Sequence, residues 1–408
     1  MTSNDFVIRG ARVFDGEHVH DNLHVRVIGT TIADVGPSIE VPDDVEIIDA
    51  SGKTLMPGII DSHAHAKPPA IEAAIVFGVT TEMDMGSVPS WMHEVREQAR
   101  TRNDVADVRS SSFGATVLGG HPSMLIGSYF EEQFPVVSGI DDVESFVEDR
   151  ISEGADYIKI LIDNGTAMGH PSPTLTPDVV KALVDQAHRH QKMAVAHVTA
   201  VEGAHQAIDA GVDGLVHLFM DQPPTPEIVR AIKDSGVFVV PTLVTLGSLA
   251  GEHTGETLAA DPRAEGLLPA EWRENLQACW HLGGPSRLDY SIEAARQLHA
   301  AGVPLLMGTD AASIGVVGTA HGISVHAEMK LLVRAGLTPV EALHSATALP
   351  ARIYGLTDRG RIGPALQADL LLIDGDPTVD IDDTLSIDSV WRRGEKLNRD
   401  RYRTTISA

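Results

Sequence analysis

Two histidines separated by one residue close the run Leu55-Met56-Pro57-Gly58-Ile59-Ile60-Asp61-Ser62-His63-Ala64-His65. Apolar residues lead into the pair, so the segment reads as a buried strand. Side chains at i and i+2 share a face of a strand. His63 and His65 therefore leave one strand end together and offer two imidazole nitrogens to one metal ion. Further apolar strands end in groups of the same kind. Lys159 sits within Tyr157-Ile158-Lys159-Ile160-Leu161, His197 ends Ala194-Val195-Ala196-His197, His217 ends Gly214-Leu215-Val216-His217, and Asp310 ends Leu306-Met307-Gly308-Thr309-Asp310. Each has an ordinary reading: a bonded core histidine, a lysine reaching solvent, a helix cap. Unpaired burial of all six at one place would cost several kcal/mol. A metal centre accounts for all of them.

Those residues need a scaffold that brings strand ends together. From residue 58 onward, apolar strands alternate with helical patterns. The expected strands are Ile59–His65, Val79–Met83, Ser111–Val117, Tyr157–Ile162, Met193–Val198, Gly214–Leu218, Val237–Thr242 and Pro304–Asp310. Between them lie helical segments such as Pro177–His190 and Thr225–Asp234, with Gly78 and Gly236 punctuating the return to strand. This alternation predicts an α/β fold, a (β/α)8 TIM-like barrel over residues 58–362, with chemistry at the C-terminal strand ends. An open doubly wound sheet is disfavoured, because no glycine-rich phosphate loop follows the first strand.

Residues 1–57 and 363–408 carry short strands separated by turn residues such as Asp15-Gly16 and Gly36-Pro37. They predict a second small β-sandwich domain, split between the two chain ends. The segment 243–288 is longer than a strand-to-helix loop requires and is expected to form a lid or rim.

Composition narrows the partners. With 31 Lys and Arg against 57 Asp and Glu, the net charge is −26. That balance disfavours nucleic acid and anionic membrane surfaces and leaves a small-molecule substrate. The single cysteine, Cys279, excludes a multi-cysteine metal cluster, whereas 19 histidines make imidazole the expected ligand. No basic-then-apolar leader and no membrane-length apolar run appear, so a cytoplasmic location is expected. A homo-oligomer is the expected assembly.

Met56-Pro57-Gly58-Ile59-Ile60-Asp61-Ser62-His63-Ala64-His65 resembles the opening signature of the amidohydrolase superfamily. Gly308-Thr309-Asp310-Ala311 resembles its strand-eight motif. The segments 337–343, 346–351 and 363–370 resemble its closing helix pair and its return into the β domain. The nearest branch is the imidazolonepropionase-like and Xaa-Pro dipeptidase-like group, in which Ile-Lys-Ile on strand four supplies a carboxylated lysine. The resemblance implies two divalent cations, Zn²⁺ in the usual case. His63, His65 and Asp310 would hold one, His197 and His217 the other, and a CO₂-derived carbamate on Lys159 would bridge them. It further implies Asp310 as the catalytic proton carrier and an amidase or dipeptidase type of reaction. The substrates would be small N-acyl amino acids, dipeptide-like compounds, or aryl amides and carbamates.

Cyclic-amide hydrolysis or deamination, phosphoester or lactone hydrolysis, and a metal-free scaffold are the alternatives. Lys159 weighs against deaminases. Gly119-Gly120-His121 resembles a Gly-Gly-His of the dipeptidase-like branch, which makes His121 a substrate contact. His321 and, less strongly, His170 are further candidates. After His217, Leu218-Phe219-Met220 lacks the tyrosine found in dipeptidase-like relatives. Phe219 is therefore expected to line the pocket and to favour a neutral, apolar substrate.

Overall fold

In the computed structural model, residues 5–125, 134–280 and 282–405 are described. Residues 1–4 and 406–408 of the expected end domain lie outside the described residues. Five strands come first: β1 (Phe6–Phe14), β2 (Val19–Ile28), β3 (Thr31–Gly36), β4 (Glu46–Asp49) and β5 (Thr54–Pro57). Seven follow: β6 (Ile59–Ala64), β7 (Val79–Asp84), β8 (Asp107–Ser110), β9 (Ile158–Ile162), β10 (Ala194–Val198), β11 (Gly214–Val216) and β12 (Phe238–Val240). The last three are β13 (Leu370–Ile373), β14 (Ile387–Arg392) and β15 (Glu395–Lys396).

Both chain ends meet in one sheet. β5 pairs antiparallel with β13, placing Leu55 opposite Leu372 and Met56 opposite Leu371. The sheet runs β15-β14-β13-β5-β1-β2-β3, with β4 also on β1. Alternation along these strands turns Ile8, Val25, Leu55, Leu370 and Trp391 into a shared apolar cluster. The strands thus form one continuous hydrogen-bonded sheet, where the turn pattern suggested a sandwich.

β6 to β12 make two parallel sheets, β6-β7-β8 and β9-β10-β11-β12. Every residue of β6, β7 and β9 to β12 is buried, as expected for strands covered on both faces. Helices between them present apolar stripes to the sheets. In Pro177–Arg189, Val180, Leu183, Val184 and Ala187 are buried, and Pro177 occupies the first turn, where its missing N–H costs nothing. Thr338 and Glu341 form a reciprocal capping box that starts Pro339–Ser345, the first of two short helices before the return to the end sheet.

Single bridges attach connecting segments to one or other of the two parallel sheets. Ala115 bridges Ile160, Leu305 bridges Val239, and Ala311 bridges Ala64. The third and eighth expected strands are therefore shorter than the sequence pattern implies. The third pairs earlier, at Asp107-Val108-Arg109-Ser110, and Ser112 then takes a left-handed φ of 56°, which ends regular pairing. This strand lacks an apolar run because Asp107 is taken by Arg109 and Arg359. The eighth holds its neighbours through hydrogen bonds such as Ser62 N to Met307 O and Asp310 N to His63 O.

The 243–288 segment folds into three helices and a 3₁₀ turn. Leu243, Val244, Leu246, Leu258 and Leu276 join the main core. No described helix is long and apolar enough to cross a membrane.

Candidate active site

β6 delivers His63 and His65 as the spacing requires. His63 Nε2 lies 3.2 Å, and His65 Nε2 3.0 Å, from the same Asp310 oxygen, Oδ1. The ring centroid of His217 is 4.6 Å from that of His63 and 4.5 Å from that of His197. His121 stacks on His197 at 4.9 Å. One donor atom each from His63, His217 and Asp310 fall within 4.8 Å of one another. Lys159, on β9, lines the same cavity with His63, His65, His121, His197, His217 and Asp310. Every metal-ligand candidate from the sequence is thus brought to one place.

The strands break where they deliver these groups. His217 (φ 68°) and Asp310 (φ 59°) are left-handed, as is Thr242 (φ 50°). Such conformations each cost about 1–3 kcal/mol and persist where surroundings over-determine them. Here the surroundings are visible. Glu328, fully buried, accepts from Leu243 N (2.9 Å) and Val244 N (2.7 Å), which fixes the chain just after Thr242. Thr242 Oγ1 is 2.6 Å from His217 Nδ1, so Nε2 is the nitrogen left for the centre. Asp61 accepts from His63 N (3.1 Å), Thr309 N (3.0 Å) and Thr309 Oγ1 (2.6 Å), clamping the ends of strands one and eight together. A Cβ at Gly308 would lie 2.4 Å from Val240 Cγ1 and 2.9 Å from His63 N. Gly308→Ala should therefore destabilise the fold by about 1–3 kcal/mol, measured as a lower denaturant midpoint with unchanged slope.

The remaining tautomers are also set. His65 Nδ1–H donates to Gly86 O at 2.9 Å. Its Nε2 and the Asp310 carboxylate, both electron-pair donors, then face each other, and a proton or a metal cation must lie between them. His197 Nε2–H donates to Asp163 Oδ2 at 3.1 Å, leaving Nδ1 as the lone-pair atom. Such outer carboxylate and hydroxyl partners raise ligand basicity and fix ring orientation. Among the described residues, His63 Nδ1 is buried without a hydrogen-bond partner.

Electrostatics favour the ligand forms. Burial, with Lys159 nearby, lowers the His63 pKa to about 3. Burial and the His197 charge hold His217 well below the usual imidazole range. Both are then neutral, with a free lone pair. Burial resists charge on His65, but the hydrogen bond and field of Asp310 raise its pKa. Burial opposes ionisation of Asp310, yet the surrounding imidazoles keep it well below the usual carboxylate range. Burial brings Lys159 down to about 7 against the pull of Asp310 and Asp84. Neutral imidazoles, an ionised carboxylate and a lysine poised to lose its proton together fit a divalent-metal site.

Above these groups the cavity, about 200 Å³, is walled by Met85, Trp91, Phe113, Phe134, Leu161 and Val316. His121 lines it as expected, and burial next to His197 lowers its pKa to about 4. Two expected contacts lie elsewhere. Phe219 is fully buried in the main core, because the left-handed turn at His217 redirects the chain. His321 is fully buried, its Nδ1 2.8 Å from Glu82 Oε1 and its Nε2 3.0 Å from Ala312 O, and it holds the post-strand-eight loop. His170 does not line the cavity either. Asp163 and Thr242 had no sequence signal beyond being polar in apolar surroundings, and Asp61 and Glu328 stood out only by lying in the opening signature and after strand eight.

Thr242→Val keeps the shape and removes the hydroxyl on His217. Metal affinity should fall by about 10- to 100-fold in a chelator-competition titration, and Thr242→Ser should restore it. Unchanged affinity in the valine variant would show that Thr242 does not orient His217.

Residues 54–397 match the amidohydrolase family. Over 272 residues the chain is 26% identical to ochratoxinase of Aspergillus niger, covering 64% of this chain and 50% of the relative. The chain thus spans about half the length of that curated relative. A solved Xaa-Pro dipeptidase with methionine in its active site superposes with a TM-score of 0.77 at 22% identity, over 96% of this chain and 99% of that one. Phenylurea hydrolase B gives a TM-score of 0.74 at 21% identity, over 99% of each chain. These structural likenesses establish a shared fold.

Proposed function

The chain belongs to the amidohydrolase family, and from that premise we propose that it is a metal-dependent hydrolase of carbon–nitrogen bonds in small amides, with two metal ions per chain. The observation that carries the proposal is the convergence of five imidazoles, one ionised carboxylate and one buried lysine on a single cavity. The names Xaa-Pro dipeptidase and phenylurea hydrolase support the bond class. We further propose that the two parallel sheets and their bridging segments constitute a closed (β/α)8 barrel over residues 58–362. The end sheet would be the second, split domain, from residues 1–57 and 363–408.

His63, His65 and Asp310 would hold one cation, His197 and His217 the other, and a carboxylated Lys159 would supply the shared anionic ligand. Bound there, the cations, Zn²⁺ in this proposal, would supply an acidified water and polarise the scissile carbonyl. The protein supplies the rest. Asp310 takes the proton from the attacking water and passes it to the leaving nitrogen, so that water and amide become carboxylic acid and amine, which ionise to carboxylate and ammonium. Asp163 and Thr242 keep His197 and His217 in their tautomers. His121 stands on the cavity wall, positioned to contact the amide. Met85, Phe113, Leu161 and Val316 exclude bulk water.

The test is elemental analysis of protein purified without chelator, followed by a screen of N-acyl amino acids, dipeptides, carbamates and aryl amides. Close to two metal ions per chain and cleavage of at least one class are expected, with activity lost to chelator and regained with Zn²⁺. Metal-loaded protein that cleaves none of them would overturn the proposal.

A further inference from the structure

No described residue of the segment 243–288 lines the cavity, yet the segment carries the hydrogen bonds of one cavity wall. That wall is the stretch after Asp310. Ala312, Ser313 and Val316 line the cavity, and the next helix starts only at Ser324. A stretch without regular structure must find partners elsewhere for its main-chain groups.

Asn275, in the helix Ala270–Gln277, is that partner. Its Oδ1 accepts from Gly315 N at 2.9 Å. Its Nδ2 donates to Val316 O at 2.9 Å and to Thr319 O at 2.7 Å. Its main-chain carbonyl, in the last turn of the helix, accepts from Gly318 N at 2.8 Å. Both amide N–H groups and the amide oxygen thus go to one loop. Asparagine is a weak helix former, and here it is 4% exposed, so neither helix stability nor solvation accounts for it. The Ser248 hydroxyl, from the helix Leu243–Leu249, donates to Val317 O at 2.7 Å.

The segment and the loop meet without a gap. A Cβ at Gly318 (φ 99°) would lie 2.3 Å from Ser248 Cβ, and one at Gly255 would lie 2.8 Å from Gly318 O. At the other end of the wall, His321 Nε2 donates to Ala312 O at 3.0 Å. Trp272, one helical turn before Asn275, meets the His321 ring edge-on with centroids 5.8 Å apart. One short helix therefore bears on both anchors of the wall.

We propose that Asn275 is a positioning residue: from outside the cavity it fixes the Ser313–Val316 wall, and through it the segment 243–288 sets the size of the group admitted beside the metal-ligand residues. The proposal rests on the metal-dependent reading above only where a metal-binding probe is used.

The experiment compares the full-length wild-type chain with Asn275→Asp, which keeps the shape but removes both donors, and with the milder Ser248→Ala. In amide hydrogen exchange read by mass spectrometry, residues 313–319 should exchange about 10- to 100-fold faster in Asn275→Asp and about 5-fold faster in Ser248→Ala. Strands β9 and β10 should exchange as in the wild type, and metal content should stay the same. Acetohydroxamic and 4-phenylbenzohydroxamic acids, whose paired oxygens suit divalent metal, probe the space in metal-loaded protein. In Asn275→Asp the ratio of their Kd values should shift by about 10-fold or more toward the larger acid, the scale on which a pocket discriminates size. A residue that only stabilises the fold would raise exchange across the whole chain and weaken both acids equally. That result, or unchanged exchange at 313–319, overturns the proposal. If neither acid binds the wild type, the metal-dependent reading fails, and crystals of the variants decide on the wall. A displaced Ser313–Val316 backbone with a wider cavity sustains the proposal; an unmoved one overturns it. Should Asn275→Asp not fold, Ser248→Ala carries the same readouts.

Discussion

Asp310→Asn lowers kcat by about 10²- to 10⁴-fold, the usual contribution of a positioned general acid–base group, while the fold persists. The side chain is the shared neighbour of His63 Nε2 and His65 Nε2, at 3.2 and 3.0 Å. Asparagine keeps its size and, among uncharged residues other than glycine, is one of those that best tolerate the left-handed backbone (φ 59°). The bond from Asp310 N to His63 O, 2.7 Å, involves only main chain and survives the change. What is lost is the negative charge and the ability to take a proton from water. Circular dichroism should match the wild type, and metal content should fall only in part, since the amide oxygen remains a ligand. Together these results assign proton transfer to Asp310. An active asparagine variant would place the base elsewhere.

The strands that hold the site were legible because their burial is written as unbroken apolar runs. Ile158–Ile162 and Ala194–Val198 match their expected positions within a residue. The third and eighth strands were misjudged for opposite reasons. Asp107–Ser110 is a polar strand whose charge is matched by arginines from distant sequence. Residues 304–310 are apolar but pair through single bridges, because the chain must bend to present Asp310. The helix Pro339–Ser345 falls in the segment 337–343 that resembles the closing helix pair, and a capping box at Thr338 starts it.

For the site, groups at strand ends could be read and the residues behind them could not. Thr242 lies 25 residues from His217, and Glu328 lies 85 from the Leu243 N–H it accepts. Nothing local marks such pairs. Phe219 shows the reverse error. It was placed in the pocket by its offset from His217, but an offset carries over only if the backbone stays extended, and His217 is left-handed. His321 drew attention as a histidine after strand eight, yet it is fully enclosed against Glu82.

Lys159→Ala should lower metal content from close to two ions per chain to close to one or none. Activity should fall by more than the roughly 10- to 100-fold that losing an outer partner of a metal ligand typically costs. Lys159 is 2% exposed, in a strand whose other residues are all apolar and buried. Gly114 makes room for it: a Cβ there would lie 3.2 Å from Lys159 Cγ and 2.4 Å from Leu161 Cδ1. The hydrogen bond from Ala115 N to Lys159 O, 2.8 Å, pins the backbone beneath. No carboxylate forms an ion pair with the amine among the described residues, and burial brings its pKa to about 7. An ammonium at this position would repel cations from the imidazoles around it. In the proposed centre the neutral amine would instead react with CO₂, forming an N–C bond and releasing one proton, and the product would carry an anionic oxygen pair suited to divalent metal. Two measurements separate this outcome from a merely structural lysine. Crystals grown with bicarbonate and metal should show a carboxyl group on Lys159 Nζ, and short carboxylic acids should restore part of the activity of Lys159→Ala by occupying the vacated space. An unmodified lysine in metal-loaded crystals, together with full metal content in the alanine variant, would overturn the bridge and leave a single-metal hydrolase.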